Sequence, residues 1–163
     1  MGEALRERID HLTGVDLSPA MIEKARGRDV YDSLIVGDAT AALMRQPPAA
    51  FNLIVAADSL VYFGDLAPLF AAVATALTAG GLIAFSLETI EGEGFKLGAS
   101  MRFAHSRAYV EATARETGFR PLLVQTASTR REAGADAPGL ICAFERTGQA
   151  QPKLRPARPS RAK

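Results

Sequence analysis

Short apolar runs alternate along the chain with segments whose apolar residues recur every three or four positions. Residues 3–12 place Leu5, Ile9 and Leu12 at helical spacing, with Arg6, Glu7, Arg8 and Asp10 mostly elsewhere, which predicts a short amphipathic helix. A strand over 12–17 then feeds a helix over 19–26 that carries Met21, Ile22 and Ala25 on its inner side. Ser18 and Pro19 mark the start of that helix. The serine hydroxyl can accept from a free first-turn amide, and proline fits the first helical position, where no backbone donor is needed. Residues 33–36 form a second strand, ending on Gly37, Asp38 and Ala39, and 41–45 a helical turn that Pro47 and Pro48 stop. The run from Phe51 to Ala57 is nearly all apolar, as a strand buried on both faces must be, and it ends on Asp58.

Further on, Asp65 caps a predicted helix over 66–78, the pair Gly80 and Gly81 turns the chain, and a strand over 82–87 ends at Glu88. Residues 89–105 contain Gly92, Gly94 and Gly98 and few periodic apolar positions, so they read as a loop of binding or lid type. Ser106 caps a helix through 117, with Tyr109, Val110 and Ala114 on one face and Gly118 as its stop. A hairpin follows, from 121–126 through a polar turn at 132–138 to 140–145. The segment from 147 onward is rich in Pro, Gln and Arg and is expected to be a disordered tail.

Strands that alternate with helices imply a parallel sheet covered on both faces, and right-handed crossovers bring the carboxyl ends of all its strands to one rim. Asp16, Asp38, Asp58 and Glu88 stand at four such ends. Because Ser18 supplies the helix cap, the Asp16 carboxylate is left to accept hydrogen bonds from a diol such as a ribose. The competing reading is a turn residue ahead of Ser-Pro.

The length of 163 residues suits one domain with a substantial core. The formal charge of +1 conceals an acidic body, since Lys153, Arg155, Arg158, Arg161 and Lys163 lie in a tail without acids. That tail lacks interleaved aromatics, which argues against a nucleic-acid partner. A single cysteine, Cys142, precludes an internal disulfide and fits a reducing compartment, so a cytoplasmic protein is expected; flanked by Leu140, Ile141, Ala143 and Phe144, it reads as an inert core thiol. The uncharged stretch 66–87 is long enough to span a bilayer, but Pro68 and the glycine pair divide it, so no membrane association is expected. His11 and His105 have no partner at ligand spacing; no metal site is expected, and both read as surface or loop histidines. Tyr62, Phe63, Phe95 and Tyr109 are equally readable as the floor of an acceptor pocket or as core packing.

Four segments, TGVDLSPAMIEKA (13–25), VGDA (36–39), FNLIVAADSLVYFGDL (51–66) and LTAGGLIAFS (77–86), in this order and spacing, resemble the class I S-adenosylmethionine-dependent methyltransferases. The later RFAHSRAYV (102–110) resembles a narrower group, the bacterial methyltransferase domains that follow tetratricopeptide repeats. The resemblance implies an α/β, Rossmann-like sheet over 1–146, mostly parallel with a C-terminal antiparallel hairpin, and S-adenosylmethionine as cofactor. Carried over by position, it places Asp16 with Leu17 at the ribose, Asp38 with Ala39 at the adenine, and Asp58 near both cofactor and acceptor. Asp58 and Tyr62 are then the candidate catalytic residues, orienting an acceptor whose identity no residue marks.

One departure from the family pattern is plain. Its members begin with a strand and a glycine-rich loop, whereas here the first helix starts at about residue 2 or 3, so the sequence reads as truncated at its N-terminus. In the family's order, three-two-one-four-five-seven-six, the absent strand is central, and its neighbours at 12–17 and 51–57 would each lose a ladder partner. Direct pairing of those neighbours, a second chain completing the sheet as a homo-oligomer, or an upstream segment would fill the gap. The alternative to an enzyme is a catalytically silent fragment that acts as an interaction module.

Overall fold

A computed structural model describes residues 2–132 and 135–148, so the basic segment 149–163 lies outside the described residues. The elements run α1 (Gly2–Arg6), β1 (Thr13–Asp16), α2 (Pro19–Arg26), β2 (Ser33–Val36), α3 (Ala39–Met44) and β3 (Phe51–Ala56). A 3-10 turn at Leu60–Tyr62 leads to α4 (Ala67–Ala76), β4 (Leu77–Ile90), β5 (Phe95–Leu97), β6 (Phe103–Ser106), α5 (Arg107–Glu116), β7 (Phe119–Glu132) and β8 (Ala135–Arg146). The predicted alternation of strand and helix is present, and it ends in the expected antiparallel hairpin, β7 on β8.

Three boundaries differ from expectation. The first helix stops at Arg6, not residue 12, because Asp32 captures the chain beyond it: one carboxylate oxygen accepts from Arg6 at 2.6 Å and from the Leu12 amide at 2.7 Å. Leu12 is thereby drawn into the approach to β1. The glycine pair does not end the ladder either: β4 starts at Leu77, directly after α4, and continues through Gly80, whose φ of +76° accommodates an irregularity in the pairing with β3. Residues 89–105 are not one loop. Phe95–Leu97 pairs antiparallel with Phe103–Ser106, and the latter strand lies parallel to the end of β4, through Glu88 with Ala104 and Ile90 with Ser106.

The larger sheet is mixed rather than mostly parallel: its six strands run in the order β5-β6-β4-β8-β7 with β3 also on β4, and β4 pairs parallel with β3 and β6 but antiparallel with β8, because β8 returns from the β7 hairpin alongside it. β1 and β2 form a separate parallel pair in which Asp16 stands opposite Val36. Among the described residues, β1 pairs only with β2 and β3 only with β4, so the two do not pair directly with each other.

The core lies between α4, α5 and the larger sheet. Phe70, fully buried, presents edges to Phe85, Phe119 and Phe144 at centroid distances of 5.7, 5.6 and 6.3 Å, while Phe85 and Phe144 stack. Edge-to-face contacts of this kind stabilise beyond their buried area. Over 81–88 β4 alternates buried and half-buried positions, and in β8 buried Leu140, Cys142 and Phe144 alternate with exposed Ile141 and half-buried Ala143, which seats Ile83, Phe85, Leu87, Leu140, Cys142 and Phe144 in that core.

Candidate active site

The carboxyl ends of β1 and β2 carry the two nucleoside candidates, and local backbone chemistry claims part of each. Ser18 caps α2 as expected, accepting from the Met21 amide at 3.4 Å. Asp16 is not left wholly to a ligand, however: its Oδ1 accepts from the Ser18 amide at 2.8 Å, an Asx turn that fixes the carboxylate at the strand end. Leu17 follows with 71% of its surface exposed. Asp38 is exposed and serves as the N-cap of α3, its Oδ1 accepting from the Ala41 amide at 2.8 Å, with Ala39 half-buried as the first helical residue.

Asp58 and Glu88, at the ends of β3 and within β4, form a second cluster through a residue that sequence reasoning missed. Arg102, at the entrance to β6, donates from Nε to Glu88 at 2.7 Å and from a terminal nitrogen to Asp58. Its other terminal nitrogen reaches the Tyr62 hydroxyl at 3.4 Å, and its guanidinium carbon lies 5.4 Å from the centre of the Tyr62 ring. The side chains of Arg102 and Glu88 are 11% and 13% exposed, while Asp58 keeps 66% of its side chain open and Tyr62 63% of its surface. Burial works against the arginine's charge, yet the hydrogen bonds and charges of Asp58 and Glu88 outweigh it and raise its pKa above the ordinary value. Asp58 is also held by its backbone, with φ at +54° and its amide donating to Ser86 Oγ at 3.0 Å. A non-glycine residue in this region is uncommon and concentrates at functional sites.

The structure therefore joins Asp58, Glu88 and Tyr62 through Arg102, and sets Asp16 and Asp38 at neighbouring ends of the β1–β2 pair. No hydrogen bond or ion pair described links the two groups. Arg102 opens the 102–110 segment, but nothing there signalled its role, because its partners lie 14, 40 and 44 positions away.

His105 is no surface or loop histidine. It lies in β6, fully buried, with Nε2 hydrogen-bonded to the Gly64 carbonyl at 2.9 Å and its ring stacked on Tyr109 at 5.8 Å. Nδ1 has no partner, which fits a neutral ring donating from Nε2, and burial pulls its pKa below the ordinary value. Phe95 packs against Phe103, His105 and Tyr109, and Tyr109 donates to Asp65 and accepts from the Leu66 amide, each at 2.9 Å. Of the four aromatic pocket candidates, only Tyr62 stands largely free of packing. Cys142 is buried and its thiol is pushed up to about 12. Among the described residues, no cluster of His, Cys, Asp or Glu could hold a metal ion, and no helix is long and apolar enough to cross a membrane.

A strand-end carboxylate fixed by an Asx turn, beside an exposed leucine and one strand away from a second carboxylate, suits the diol and base of a nucleoside. Comparison with known proteins bears on the fold and the family. A protein from Methanosarcina mazei, described as a SAM-dependent methyltransferase, superimposes with a TM-score of 0.65 at 12% identity over 82% of this chain and 81% of its own. The 1,6-didemethyltoxoflavin-N1-methyltransferase of Burkholderia thailandensis, solved with S-adenosylhomocysteine, gives 0.69 at 16% identity over 89% and 65%. An S-adenosylmethionine-dependent methyltransferase from Mesorhizobium loti gives 0.64 at 20% identity over 83% and 80%. At these identities the likeness establishes a shared Rossmann-like α/β fold. No curated protein matches the chain. The model of the methyltransferase domain family matches residues 2–85, just over half of the sequence. The chain thus belongs to the methyltransferase domain family, with S-adenosylmethionine as its cofactor.

Proposed function

We propose that this chain transfers a methyl group from S-adenosylmethionine to a small acceptor placed over Asp58 and Tyr62. The observation that carries the reading is the pinned carboxylate of Asp16 beside exposed Leu17 at a parallel-strand end, a nucleoside-binding arrangement. Asp16 would accept from the ribose hydroxyls with the oxygen its Asx turn does not use. Asp38 and Ala39 would meet the adenine edge, with Asp38 retaining its cap to α3. The cofactor supplies an activated methyl on a sulfonium, and no covalent enzyme intermediate is required. Asp58 and Tyr62 would orient the acceptor nucleophile, so the contribution of the chain is placement. A general base is needed only where the acceptor must lose a proton.

The unshared edges of β1 and β3 are read as the seat of one more strand, supplied by a second copy of the chain, which light scattering at several concentrations tests; a chain that stays monomeric throughout and binds cofactor removes the second copy from the reading. The segment 102–110 keeps the likeness to domains that follow tetratricopeptide repeats, the domain is taken to end at 146 before a basic tail, and a reducing, cytoplasmic setting is assumed.

The test of the main reading is calorimetric. S-adenosylhomocysteine is expected to bind the chain, and Asp16→Ala to weaken that binding at least tenfold, about 1.4 kcal/mol. Unchanged affinity in a folded Asp16→Ala sample would remove Asp16 from the site. A folded wild-type chain that binds no cofactor would favour the silent fragment.

A further inference from the structure

Three chain segments meet at Arg102. Asp58 lies two residues beyond the third strand, Tyr62 closes the 3-10 turn after it, and Glu88 lies near the end of the long β4. Each is touched by a different part of one guanidinium: Nε on Glu88, one terminal nitrogen on Asp58, the other beside the Tyr62 hydroxyl. The planar fork suits this division of labour, whereas a lysine ammonium is a single point charge that cannot hold two carboxylates and cover a ring together. The arginine and Glu88 are nearly hidden, while Asp58 and Tyr62 face outward, so the clamp is buried and what it presents is exposed. What the presented face offers a ligand is the Asp58 carboxylate, 66% exposed, and the Tyr62 hydroxyl beside it.

We propose that Arg102 is a positioning residue for methyl transfer, clamping Asp58 and Tyr62 into one rim that receives a neutral or cationic acceptor presenting N–H or O–H groups rather than a carboxylate. The inference rests on the reading of Asp58 and Tyr62 as the acceptor side of the site. It assigns Arg102 no contact with cofactor, which separates it from the nucleoside residues.

The experiment uses the full chain with its three tyrosines replaced by 3-fluorotyrosine and read by 19F NMR, each resonance assigned by a Tyr→Phe variant. Arg102→Lys and Arg102→Gln are expected to shift the Tyr62 resonance and leave those of Tyr31 and Tyr109 in place. Should Arg102→Gln fail to fold, Arg102→Lys carries the comparison. Benzylamine and benzoate, titrated in turn into the wild-type chain, probe the charge preference, and benzylamine alone is expected to move the Tyr62 signal. A Tyr62 resonance unmoved in Arg102→Lys overturns the clamp. A response to benzoate, or none to benzylamine, overturns the acceptor class. Failure of the wild-type chain to bind S-adenosylhomocysteine counts against the cofactor reading alone, because the fluorine spectra report the clamp without it.

Discussion

Asp16 and Asp38 show how far single residues could be read in advance and where that reading stopped. Both stand at strand ends as the alternation of apolar runs and helices required, and both are also held by a local amide, a use that Asp and Asn side chains make routinely. His105 was misread because the serine after it signals a helix start, and helix starts are commonly exposed. Its burial comes from pairing with β4 and from Phe95 and Tyr109, contacts invisible at short range. A pH dependence follows. The folded ring titrates below the ordinary value of 6.5, so the unfolded chain takes up its proton first as pH falls. The contribution of His105 to stability is complete above about pH 6.5 and declines as pH drops toward the folded pKa. Urea midpoints at pH 7.5 and 5.5 are expected to differ less in His105→Gln than in wild type, after allowing for the variant's lower baseline. Cys142, by contrast, was legible from its apolar neighbours alone, and an aromatic disulfide reagent at pH 8 is expected to modify it only after denaturant is added.

Among the elements, helix starts were the most legible, since a cap is a matter of three adjacent residues. Ser18 and Ser106 both cap as expected, Ser106 accepting from the Tyr109 amide at 3.2 Å, whereas Asp65 is not the cap of α4: Leu66 holds that position, and Asp65 Oδ1 accepts from the Ala67 amide at 2.9 Å in a turn one residue ahead of it. The long strand β4 was cut short in prospect because two glycines ordinarily end an element. Its partners on both sides, β3 and β8, hold it extended instead. Strand pairing is a long-range fact, and the same holds for β5 and β6, whose few apolar residues gave no clear period. The helix α4 rests its stability on Phe70. Phe70→Ala would remove three ring contacts from a site with no solvent access, and a loss of about 3–5 kcal/mol in chemical denaturation is expected. A loss below about 1 kcal/mol would mean that the core collapses around the vacancy.

For the molecule as a whole, the apolar core is placed unevenly. The buried cluster begins at Leu60 and draws on the chain from there to Phe144, with Leu43, Phe51, Ile54 and Ala56 packed at its margin. Before residue 37, Ile22 is the one apolar side chain described as buried. Among the described residues, the β1–β2 pair with α1 and α2 shares no ladder with the larger sheet, so strand pairing there does not carry the cooperativity of that sheet across to it. Native-state amide exchange should then resolve two units, with residues 13–16 and 33–36 opening at a lower free energy than 82–88 and 139–145. Asp16 and Asp38, the residues proposed to hold the nucleoside, belong to the unit expected to open first. A ligand gripped by Asp16 and Asp38 only when that unit is closed would slow its exchange by mass action, about a hundredfold at a hundred times the dissociation constant. Slowed exchange confined to β1 and β2 on adding S-adenosylhomocysteine would make binding and the last step of folding one event.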